Sequence, residues 1–255
     1  MKRVFSSDLS IDEAILLADT DYEPCGLATG SSIFHIGMIP SWGLGQNMEI
    51  KELSSAMYEA RRLAMGRLVS TANKVGGQGV VGVTLDINMF EGHNHLAVFN
   101  AMGTAVRKIG GGESSGHKHQ PSCFTSDLSG QDFYLLLRAG YLPLGMVMGT
   151  CVYYVARQQM ATWMRSQTQN IEIATYTSAL YDARELAMGR MQQEALRLGA
   201  DGIVGVKVTE QSHVWGSHVI EFFVLGTAVR LTGKEHRKLE PRSVLPLDDF
   251  PAVVF

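Results

Sequence analysis

Side chains able to bind a metal, move a proton or attack an electrophile are few in this chain. His93 and His95 stand at alternate positions, and in an extended strand such positions share a face. Two imidazoles on one face are what a transition metal takes from a pair of ligands, although a site needs more. His213 and His218 occupy the corresponding part of a second, similar stretch, with His218 matching His95. Four histidines at that spacing make a transition metal the cofactor to consider, held by His93, His95, His213 and His218 brought together from several chains. Solvent-facing hairpin histidines are the simpler reading of the same residues. His117 and His119 lie in a Gly/Ser stretch and read as polar linker content. Cys25, Cys123 and Cys151 show no CxxC spacing, so neither a disulfide framework nor a zinc knuckle follows. No GxSxG, no P-loop lysine motif and no GxGxxG between strand and helix is present. The chain reads as non-enzymatic.

The elements that must position these residues come in duplicate. FSSDLS from Phe5 returns as FTSDLS from Phe124, 119 residues on, and the same shift carries Tyr22 to Tyr141, Gly26 to Gly145 and Gly30 to Gly149. YEARRLAMGR from Tyr58 returns as YDARELAMGR from Tyr181, a shift of 123 that persists through GTAVR at Gly103–Arg107 and Gly226–Arg230. Repetition of this kind marks a duplicated structural unit. We divide the chain into a first domain at 1–109, a Gly/Ser/His linker at 110–120, a second domain at 121–232 and a Pro-punctuated tail at 233–255.

Each copy opens on a helix start, with Ser10 three residues before Glu13 in capping-box spacing and Ser129 before Asp132 repeating it less ideally. A Gly-punctuated apolar stretch follows at Gly26–Ile36 and Gly145–Ala156, predicting a buried strand with close backbone approaches. The second of these has no charge between Arg138 and Arg157 and contains a GxxxG. Pro143 and three glycines interrupt it, which favours the strand over a membrane span. A long helix is predicted over about 49–75 and 172–198, stopped by Gly76 and Gly199. Two strands complete the copy: Val80–Met89, a hairpin around Gly92, then Leu96–Arg107, with Val219–Arg230 as the counterpart of the last. Leu96–Arg107 is apolar at nearly every position, and Val219–Arg230 has Ile220, Phe222, Phe223, Val224 and Leu225 in close succession. Such a strand needs cover on both faces. One helix supplies only one. Packing between copies and between chains is therefore expected.

On the long helix, Leu53, Met57, Ala60, Ala64, Leu68 and Ala72 form the stripe that faces the sheet, and Arg61 falls inside it, as Arg184 does in the second copy. Such an arginine can snorkel to water, bond a carboxylate across an interface, or hold an anionic ligand. Buried charges are usually paired, which favours the interface. Opposite the stripe, Leu63 and Gly66 recur as Leu186 and Gly189 among charged residues. A mid-helix glycine costs about 1 kcal/mol relative to alanine, and keeping it twice suggests that another backbone comes close.

LGADGIVGV at Leu198–Val206, closing a long helix, and LGTAVR at Leu225–Arg230 resemble the YbjQ-like family, whose domains carry a heavy-metal-binding label. The first half departs at Gly77 and Gln78, where the second has Ala200 and Asp201. The resemblance implies an α+β fold of two repeated β-α-β-β domains, each preceded by a short helix. It also implies assembly into a ring-like homo-oligomer, typically five-fold, with strands contributed to neighbours, and it carries no established activity.

With 22 basic and 25 acidic residues the 255-residue chain has a net charge of −3 and 45% hydrophobic residues. That supplies ample core and a poor electrostatic footprint for nucleic acid. Ser6, Ser7 and Asp8 follow Met1-Lys2-Arg3 where a secretion signal needs an apolar run, so a cytoplasmic location is expected. Val253, Val254 and Phe255, after Asp248 and Asp249, read either as a floppy end or as a peptide docking on a groove or sheet edge, in the assembly or on another protein. The reading is a ring-forming scaffold or small-ligand binder, with a metal binder as the alternative and an enzyme with an interface active site behind both.

Overall fold

The computed structural model describes residues 6–35, 46–89, 96–110, 123–156, 172–212 and 218–232. The fold is α+β and duplicated. The first copy contains α1 (Ile11–Ala18), β1 (Tyr22–His35), β2 (Met48–Glu49), α2 (Lys51–Lys74), β3 (Gly79–Met89) and β4 (Leu96–Lys108). The second contains β5 (Phe124–Thr125), α3 (Gly130–Arg138), β6 (Tyr141–Tyr154), α4 (Ala174–Arg197), β7 (Gly202–Ser212) and β8 (Val219–Leu231).

Local sequence sets the boundaries. Ser10 and Glu13 close the full capping box of α1, and the Ser129 side chain accepts from the Asp132 amide at α3. Gly76 and Gly199 end the long helices at φ +79° and +66°, a left-handed conformation that glycine adopts without penalty. Gly30 and Gly149 let strand backbone press onto helix backbone, since a Cβ at either would strike the carbonyl oxygen of Ala64 or of Ala187.

Two four-stranded sheets result, ordered β1-β4-β3-β5 and β2-β6-β8-β7. Each contains a two-residue strand from the other copy. β5 of the second copy runs parallel to β3, pairing Phe124 with Gly79 and Thr125 with Val80, while β2 of the first copy pairs antiparallel with the edge of β6.

The layers stack as first sheet, α2, second sheet, α4. The apolar stripe of α2 packs on β1 and β4 with Phe99, Ala101 and Ala105, and the same core takes in Met146, Met148, Val152, Phe223 and Leu225 from one face of the second sheet. The other face of that sheet packs on α4 through Val147, Cys151, Phe222 and Val224. The cover expected on the second face of β8 thus comes from packing between the two copies. The first copy's own α2 supplies it. On the face of the first sheet away from α2, α1 and α3 cover one end through Leu17 and Phe133, while Ile33 is 64% and Met102 37% exposed.

Candidate functional site: the seam between the two copies

The seam is the surface where α2 lies on the second sheet. Arg61 stands in the α2 stripe and is fully buried. Its Nη2 donates to Glu221 Oε1 at 2.7 Å and its Nη1 to Thr150 Oγ1 at 2.5 Å. The guanidinium lies 4.0 Å over the Phe223 ring and 5.6 Å from that of Phe99, the geometry of a cation–π contact in a desolvated place. Burial pushes the Arg61 pKa down and Glu221 opposes this. The pair is ionic and closed from water, with both side chains 1% exposed.

A rim of polar contacts surrounds it. Ser54 Oγ accepts from the Val152 amide at 2.9 Å, and Tyr58 donates to Glu194, whose other oxygen accepts from the Met148 amide at 2.8 Å. Tyr58 is pushed up to about 12 by burial and then by Glu194. Glu49, at the end of β2, meets Arg190 at 2.7 Å. Burial raises the Glu49 carboxyl, but bonds from Arg190 and Ser54 outweigh it and hold it below the ordinary range. Asn47 reaches the second copy twice, donating to the Thr175 carbonyl and accepting from the Ala156 amide, both at 2.9 Å. A cleft of about 430 Å³ opens along this rim between Tyr58, Thr150, Arg190, Glu194 and Arg197. These groups hold each other across the seam, so the arrangement acts chemically as a clasp.

A second cavity, of about 320 Å³, lies where the two S-D-L motifs meet, with Asp8, Glu13, Asp127, Asp132 and Lys207 in its wall. Asp127 accepts from Thr227 Oγ1 at 2.7 Å and pairs with Lys207 at 3.2 Å. Among the described residues no three His, Cys, Asp or Glu side chains are grouped to hold a metal.

The residues singled out from sequence fall in different places. Arg61 is in the seam, while its counterpart Arg184 is exposed on α4, stacked 4.7 Å over Tyr181. Leu63 is half-buried, Leu186 is 39% exposed, and a Cβ at Gly66 or Gly189 would meet no atom within 4 Å in the chain. The close approaches are instead made by Gly30 and Gly149. His218 sits beside Tyr176, with 3.2 Å between Nδ1 and the hydroxyl. His93, His95, His213 and the tail residues Val253, Val254 and Phe255 lie outside the described residues, as do the Gly92 hairpin, His117 and His119. Sequence reasoning missed Glu221, Thr150, Glu49 and Asn47. The available signal was Glu221 itself, a lone carboxylate in the apolar run of β8.

Two α+β units with exchanged strands and a helix of one clasped to the sheet of the other define a tandem-repeat protein built on domain-to-domain packing. The chain belongs to the YbjQ family, described as "Putative heavy-metal-binding", which matches it at residues 45–109 and 142–232. It is similar to an encapsulin nanocompartment protein of Mycobacterium tuberculosis, 42% identical over 250 residues that cover 97% of this chain and 93% of that protein. A UPF0145 protein of Helicobacter hepaticus is 37% identical over 103 residues, which are 38% of this chain and 96% of that protein. A UPF0145 protein of Thermus thermophilus is 44% identical over 66 residues, 26% of this chain and 56% of its own length. No described helix is long and apolar enough to cross a membrane.

Proposed function

We propose that this chain is a non-catalytic, self-assembling component of a protein nanocompartment, acting as scaffold or cargo through head-to-tail repetition of the seam. The observation that carries the reading is that the described residues form this seam once and expose residues matching both of its surfaces. The α4 counterparts of Tyr58 and Arg61 are Tyr181, 57% exposed, and Arg184, also exposed. The counterparts of the buried Thr150, Val152 and Leu225 are Ser31, Ile33 and Met102, all exposed on the first sheet. Counterparts of a helix face and a sheet face that meet within one chain are thus both presented by every chain. Such a contact is heterologous, and it closes into a ring or extends into a filament according to its rotation. The near full-length similarity to an encapsulin nanocompartment protein supplies the setting.

Native mass spectrometry tests this. The expected particle is a multiple of the 27.9-kDa chain, five chains being the number the family resemblance implies. Arg184→Glu should return it to single chains while changing fold stability by less than about 0.5 kcal/mol, as for other exposed sites. A parent protein that is monomeric at micromolar concentration refutes the proposal.

A further inference from the structure

The strand exchanged between copies has a sequence counterpart at Ser6–Leu9, which among the described residues joins no sheet. We infer that residues Ser6–Leu9 of one chain add, parallel, to the β7 edge of a second copy, an inference that rests on the self-assembly proposed above. Within the chain, the matching segment Thr125–Leu128 does this on β3. The Ser126 amide donates to the Val80 carbonyl, while the Val83 and Gly82 amides donate to the carbonyls of Ser126 and Leu128, all at 2.9 Å. The segment is held to its own copy by the Asp127 amide bonding Thr227 Oγ1 at 3.2 Å.

Each part has its equivalent. The Asp8 amide bonds Thr104 Oγ1 at 2.9 Å, so Ser6–Leu9 is held on its own sheet in the same manner. Gly205 repeats the backbone of Gly82, with φ +65° against +66°, inside the same register shift between the last two strands of each copy. β7 is an outer strand of its sheet, and among the described residues no segment lies along it as β5 lies along β3. An edge strand presents unpaired amides and carbonyls that accept an added strand. The apolar packing agrees. Phe124 completes a cluster with Leu17, Tyr22, Val81 and Val106, whereas the matching cluster of Leu136, Tyr141, Val204 and Val229 includes no residue in the Phe124 role. A Cβ at Gly79 would strike the Phe124 ring, while one at Gly202 meets only Val229, at 3.9 Å.

The test combines particle mass, hydrogen exchange and cross-linking on the full chain. In the assembled protein the Gly205 and Val206 amides should exchange at least about tenfold more slowly than in Ser7→Pro, which removes the N–H aimed at the Ile203 carbonyl. Chains bearing Ser6→Cys mixed with chains bearing Ile203→Cys should form a disulfide between unlike chains, a readout independent of whether Ser7→Pro folds well. A particle of several chains with fast-exchanging Gly205 and Val206 and no such cross-link overturns the strand addition while leaving self-assembly intact. A single-chain parent overturns both.

Discussion

Removing the Arg61 guanidinium takes from the buried Glu221 carboxyl its ion-pair partner in a place closed from water. Both side chains are 1% exposed, and the second partner, Thr150, is itself buried. Truncating one member of such a pair costs about 3–5 kcal/mol, because the remaining charge keeps its desolvation penalty without its partner. Loss of the stem from the α2 core and of the contact with Phe223 acts in the same direction. With a urea m-value of about 3 kcal/mol/M, Arg61→Ala should lower the unfolding midpoint by roughly 1–1.7 M. The control is Arg61→Met with Glu221→Leu, which replaces the ion pair by apolar side chains and should lie near the parent or above it. Equilibrium urea unfolding followed by far-UV circular dichroism measures all three. A shift below about 0.3 M for Arg61→Ala, or a double variant as unstable as the single, would falsify the account of the seam as a closed ionic clasp.

The remaining expectations concern glycines, thiols and one phenol. Gly149→Ala should destabilise by about 1–3 kcal/mol through collision with the Ala187 carbonyl, whereas Gly66→Ala, with open space around its Cβ, should stabilise by about 0.5–1 kcal/mol. Reversed signs in thermal melts would contradict the packing described, and an assembly loss in Gly66→Ala would place a second backbone there. Cys25 should react first with a chromogenic disulfide at pH 8. Cys123 and Cys151, raised by burial to about 11 and about 12, should be slow until urea is added, and equal rates for all three would contradict this. Tyr58, ordinarily near 10, is raised to about 12 in the fold. Its contribution is therefore complete below pH 10 and lost as pH climbs through 12. Tyr58→Phe should flatten that alkaline decline, and an unchanged decline would show that Tyr58 does not cause it.

The duplicated helix–strand order was legible because its signals are local. Capping pairs at Ser10 and Ser129, glycines at 76 and 199, and the apolar spacing of α2 each act within a few residues. The histidine pairs told less, because a ligand set is a fact about space. The partner of Arg61 lies 160 positions away in β8, and no periodicity connects them. The stripe did identify a guanidinium that must be satisfied inside, yet the same stripe holds Arg184, which is exposed. The difference comes from where each helix sits in the stack, α2 between two sheets and α4 on the outside of one. Identical helical spacing therefore gave opposite burial. The exchange of β2 and β5 was equally hidden, since two-residue strands carry almost no pattern of their own.

The two halves have diverged most tellingly where the first sheet has Val98 in the place of Glu221. A contact repeated between molecules through that face would lack the internal carboxylate and could part at modest cost, while the one inside each polypeptide is locked by charge and by covalent continuity. Dilution would then act between molecules and not within them. The unit that leaves or joins would be a whole molecule, always with the same end leading.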